Sequence, residues 1–100
     1  MRRGSTPTHS FVLPMGEDDI KKVEITYCQD GKIVLQKGLY QSTIEGNVLS
    51  VTLSQADTFE FAENTSVEIQ VRVLTNDDCV FVSNILCVPC DKCLSSEVLI

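Results

Sequence analysis

The run Val67-Glu68-Ile69-Gln70-Val71-Arg72-Val73 constrains this chain more than any other feature, because β-branched residues hold every second position. Strand side chains alternate between two faces, so this run makes a ribbon that is apolar on one side and polar on the other. Such a ribbon must lay its apolar face on a second layer, which commits the chain to packed sheets. Val23, Ile25 and Tyr27, alternating with Glu24 and Thr26, repeat the pattern.

Turn residues cut the rest into short pieces. Asp30-Gly31 separates Ile20–Gln29 from Lys32–Lys37, and an Asp-Gly pair suits the positive φ angles of a tight hairpin. Glu45-Gly46-Asn47 divides Gln41–Ile44 from Val48–Leu53, and Asn76-Asp77-Asp78 leads from the strong strand into Cys79–Asn84. Glu63-Asn64-Thr65 is a turn before the strong strand. A first strand is predicted over Thr8–Leu13, ending at Pro14, and the last strand, from Cys79–Asn84, is predicted to continue through Ile85–Val88 until Pro89 stops it. Ser54-Gln55-Ala56-Asp57 has a capping residue followed three positions on by an acid, so it predicts one helical turn crossing between sheets. Phe59 and Phe61 follow and are both expected in the core. The expected fold is all-β: an immunoglobulin-like antiparallel β-sandwich of about seven strands with one short helical turn, a small β-barrel being the alternative. The domain should occupy residues 8–90, with a flexible arm over 1–7 and a tail over 91–100.

The phase of the Val80-Phe81-Val82 segment matters for function. If its valines pack inward, Phe81 is exposed and becomes a contact residue, the alternative being a strand buried on both sides. Arg72, the one basic residue of the strong strand, is read as a solvent-facing strand residue, with pairing to a facing carboxylate or contact with a partner as the other option.

The chain carries 8 Lys and Arg against 14 Asp and Glu, a net charge of −6, which disfavours binding to nucleic acid phosphates. No apolar run approaches the roughly 20 residues of a membrane span, and the polar Gly4–Ser10 stretch after Arg2-Arg3 does not read as a secretory signal. The expectation is a protein that binds neither nucleic acid nor membrane and stays in the compartment where it is made. Five cysteines, an odd number, fit free thiols in a reducing compartment better than a disulfide framework.

The spacing Cys87-x-x-Cys90-x-x-Cys93 is the one local pattern with metal chemistry, since three thiols so spaced can converge on zinc. A fourth ligand would have to be His9, Cys28, Cys79 or an acid such as Asp91. The weightier reading makes Cys87 a small buried residue ending the last strand, with Cys90 and Cys93 in an adjoining loop and no cofactor. The single histidine, His9, stands beside Ser10 but lacks the signs of an oriented Ser–His pair, so it is expected as an exposed or edge-strand side chain. Glu17-Asp18-Asp19 lacks the ligand alternation of a calcium loop and reads as a solvated turn. No glycine-rich phosphate loop is present. No catalytic residue is assigned, and an enzyme is not expected.

The ordered blocks Thr6–Pro14, Val23–Tyr27, Leu53–Phe61 and Val67–Val73 resemble a family of small uncharacterised proteins encoded in phages and prophages of gut Firmicutes, over Thr6 to Leu99. The order is more distantly similar to the N-terminal β-sandwich of phage baseplate upper proteins. The cysteine-rich tail stands outside that pattern. The resemblance implies a non-enzymatic structural or virion-assembly protein, found in the virion or the host bacterial cytoplasm. Its partners would be other phage structural proteins and further copies of itself. Edges at the first strand and at Gln41–Ile44 would be its docking margins. The alternatives are a small zinc-binding module built on the C-terminal cysteines and an inhibitor of a host protein.

Overall fold

A computed structural model describes residues 1–100 and gives eight strands. They are β1 (Thr8–Val12), β2 (Ile20–Gln29), β3 (Lys32–Gly38), β4 (Ser42–Glu45), β5 (Val48–Thr52), β6 (Val67–Thr75), β7 (Val80–Val82) and β8 (Leu86–Val88). All pairings are antiparallel. One sheet has the order β1-β5-β4, and the other has β3-β2-β6-β7, with β8 also on β6. β7 pairs with Arg72–Leu74 and β8 with Val67–Ile69, so the two are one edge strand broken in the middle. Ser83 fills the break: its N–H donates to the Val71 carbonyl, and its hydroxyl accepts from the Val71 N–H at 2.9 Å. Counted this way, seven strands form two layers. The connectivity is that of an immunoglobulin-like sandwich whose second strand is β1.

The local chemistry explains the turns. Asp30 and Gly31 both have positive φ, 50° and 75°, as the two-residue β2–β3 hairpin requires. Gly46 has φ 62° at the first position of the β4–β5 turn. The predicted crossover turn is the helix α1 (Gln55–Phe59). Ser54 Oγ accepts from the Asp57 N–H at 3.0 Å, and the Asp57 carboxylate accepts from the Ser54 N–H at 2.9 Å, closing the capping box. Glu17–Asp19 forms an exposed 3₁₀ turn.

The core lies between the sheets. Val67, Ile69, Val71 and Val73 of β6, Val23, Ile25 and Tyr27 of β2, and Leu49, Val51 and Leu53 around β5 are all buried. Phe61 joins them, its ring 5.9 Å from that of Tyr27 in an edge-on arrangement. Phe59, expected in the core, is only half-buried, because it closes α1 on the flank and there lies under the Arg3 guanidinium at 5.5 Å.

The segments on either side of the sandwich touch each other. The Met1 amino group donates to the Pro89 carbonyl at 2.7 Å, and the Asp91 N–H donates to the Met1 carbonyl at 2.8 Å. Arg2 and Asp91 form a parallel bridge. Further along, the side chain of Gln55 holds Leu99 by both backbone groups, at 2.9 and 2.8 Å. No helix is long and apolar enough to cross a membrane.

Candidate functional site

The polar groups of the molecule fall into an interior set and an outer set, and the two do different work. Inside, His9 occupies an inward position of the edge strand β1, and its Nδ1 lies 2.8 Å from the Tyr27 hydroxyl of the opposite sheet. His9 is therefore an edge-strand residue, as expected, but half-buried rather than exposed, because the β1 alternation points it inward. Its neighbour Ser10 points outward and hydrogen-bonds Ser50 at 2.8 Å, so strand geometry places the two side chains on opposite faces. Burial, helped by the N-terminal charge, lowers the His9 pKa. Burial, with the Asp57 carboxylate adding to it, raises that of Tyr27, which stays a neutral phenol. This pair ties the two layers with a neutral hydrogen bond.

Lys37 also points inward, from the edge strand β3, and meets Asp57 of α1 at 3.0 Å, both side chains about four-fifths covered. Partial burial pushes the Asp57 carboxyl up, but its bonds to Ser54 and Lys37 outweigh this and hold it below the ordinary range. An inward charge on an edge strand also discourages that edge from pairing with another sheet. Gln29 was not singled out by sequence, although its place in the inward series Ile25, Tyr27, Gln29 is the signal that finds it. Its amide accepts from the Ala62 N–H at 2.8 Å and donates to the carbonyls of Ala62 and Thr65, pinning the loop before β6.

The outer set lies on the far face of the larger sheet. Cross-strand register aligns Lys22, Leu74 and Val80 in one row and Gly38, Glu24, Arg72 and Val82 in the next. All of these except Val82 line a shallow concavity of about 390 Å³. Arg72 is solvent-facing and at the same time pairs with the facing carboxylate of Glu24 at 3.0 Å. Lys22 has no ion-pair partner. Val80 and Val82 are 60% and 50% exposed.

The phase of β7 is thus the reverse of the one that would expose Phe81. Phe81 faces Val73 and packs against the core, and its valine neighbours turn outward. The aromatic ring has more apolar surface to hide than either valine, so it decides which side of a three-residue strand goes in. β7 is also an edge, and its backbone pairs with β6 through Cys79 and Ser83. By alternation the N–H and C=O groups of Val80 and Val82 point away from the sheet. The expected margins β1 and β4 are indeed the two edges of the smaller sheet.

The three cysteines with metal spacing have three different surroundings. Cys87, expected to be buried, is exposed on β8 opposite Glu68, while Cys90, expected in a loop, is the one buried in the core beyond Pro89, and Cys93 is half-buried in the tail. Cys28 is half-buried, and Cys79 is exposed at the β6–β7 turn. No three His, Cys, Asp or Glu side chains are gathered as a metal-holding group. Strand alternation sends Cys87 outward while the chain after Pro89 turns Cys90 inward, which parts the two thiols. Burial raises the Cys90 pKa, so this thiol is held in its protonated, unreactive form.

The chain is an antiparallel β-sandwich with an uncovered aliphatic and cationic face on its larger sheet. No protein-family model, curated protein or solved structure matches it.

Proposed function

We propose that this protein is a non-enzymatic docking module, a phage or prophage structural or virion-assembly component that acts through protein–protein contacts. The observation that carries the docking reading is the outer face of the larger sheet, where Val80 and Val82 stand half or more exposed beside Leu74, the unpaired Lys22 and the Arg72–Glu24 pair. Aliphatic side chains bordered by a few charges are the make-up of a protein interface, with an apolar centre and a polar rim. The phage context rests on the sequence resemblance. The interior polar groups support a structural role for themselves, since His9, Tyr27, Lys37, Asp57 and Gln29 all have partners within the molecule.

The test is carried out on particles. Virions from a host carrying the gene are banded on a density gradient and their proteins quantified by mass spectrometry. The chain is expected at a fixed copy number per particle, falling at least tenfold when Val80→Glu and Val82→Glu are introduced together. A chain absent from particles, in a host whose particle yield is unchanged by deletion of the gene, overturns the reading.

A further inference from the structure

We infer that the outer face of the larger sheet receives the Glu97–Ile100 segment of a second copy of this chain. The inference rests on the docking reading above and names the occupant of its surface. The chain itself exposes a segment with the complementary chemistry. Leu99 and Ile100 are almost wholly exposed and Val98 about half, with the carboxylate of Glu97 next to them. Gln55 grips the backbone of Leu99 through two hydrogen bonds, which holds the segment against α1 while its side chains remain uncovered.

The spacings agree. Neighbouring strands lie about 5 Å apart, so the Lys22–Leu74–Val80 row places Leu74 about 5 Å and Val80 about 10 Å from Lys22. An extended segment rises about 3.3 Å per residue, and residues two apart share a side. With Glu97 over the Lys22 ammonium, Leu99 falls roughly 7 Å further on, between Leu74 and Val80. The charges agree as well. Lys22 lacks a partner, and Arg72 faces the single carboxylate of Glu24, so this patch of an acidic protein attracts an incoming carboxylate. The donor and acceptor surfaces differ, so the contact is heterologous, and copies would add head to tail into rings or filaments. A contact this small lies below the standard interface size and is expected to be weak between isolated copies.

Sedimentation velocity over a concentration series tests the inference, using the full chain and variants at exposed positions whose folding is checked by urea denaturation. The wild type is expected to grow in size with concentration. Lys22→Glu and Glu97→Lys should each weaken association at least tenfold, and the two changes combined in one chain should restore it. A Leu99→Asp chain mixed with a Val80→Asp chain should give a complex that stops at two subunits, since each carries one intact surface. A wild type that stays monomeric at millimolar concentration, a charge-reversed pair that does not recover, or association undiminished by Leu99→Asp overturns the inference. Those outcomes leave the particle experiment free to succeed, so failure of the occupant and failure of the docking reading can be told apart.

Discussion

Strands β6 and β7 lie side by side, both alternate valine with something else, and they treat their valines in opposite ways. β6 buries Val67, Val71 and Val73 completely between the sheets. β7 turns Val80 and Val82 to the outside and sends Phe81 in. A nine-residue strand with four inward β-branched residues has one satisfactory phase, because shifting it by one would expose all four. A three-residue strand has little to lose by inversion, so its one bulky residue decides. The inversion leaves aliphatic groups on the face where Lys22 and Arg72 already stand, and that combination is what supports the proposed docking role.

Stability measurements should separate the two strands sharply. Ile69→Ala removes a fully buried side chain and is expected to cost about 2–5 kcal/mol in urea denaturation. Phe81→Ala, at a half-buried ring, should cost roughly half of what a core phenylalanine does, about 2 kcal/mol. If Phe81→Ala were neutral, the assigned phase of β7 would be wrong. Tyr27→Phe keeps the packing but leaves His9 without its partner, and about 1–3 kcal/mol should be lost. At the bottom of the scale, Val82→Ala should change stability by no more than about 0.5 kcal/mol, so its effects on assembly can be read without a folding artefact.

A pH series sharpens the contrast between interior and surface. The folded-state pKa of His9 lies below its ordinary value of 6.5, so the unfolded chain takes up its proton first. The His9 contribution is therefore complete above about pH 6.5 and is lost as pH falls below it. The stability difference between the wild type and His9→Asn should shrink between pH 7.5 and pH 5. A difference that stays level across that range would show that the imidazole is not held neutral by the fold. Asp57 works at lower pH: its contribution is complete above its ordinary value of 3.8 and is lost as pH falls through its lowered folded value.

The layered all-β architecture was legible because it follows from patterns with a direct physical meaning. These are the alternation in β6, the Asp30-Gly31 turn and the Ser54–Asp57 capping box. The outer face of the larger sheet was harder to read. Its rows are set by register between strands far apart in the chain, as when Lys22, Leu74 and Val80 come into line, and local spacing does not encode register. The same limit applies to the Cys87, Cys90 and Cys93 spacing, which suggests convergence along the chain while the strand end and Pro89 send the thiols apart. The tie between His9 and Tyr27 also joins two sheets, and neither residue announces the other in sequence.

Methyl-resolved relaxation by a soluble paramagnetic probe tests the central claim most directly. In a dilute sample of the full chain, the methyl groups of Val80 and Val82 should relax strongly and those of Val71 and Val73 should be untouched. Equal protection of all four valines, with the Phe81 ring instead open to the probe, would contradict the account.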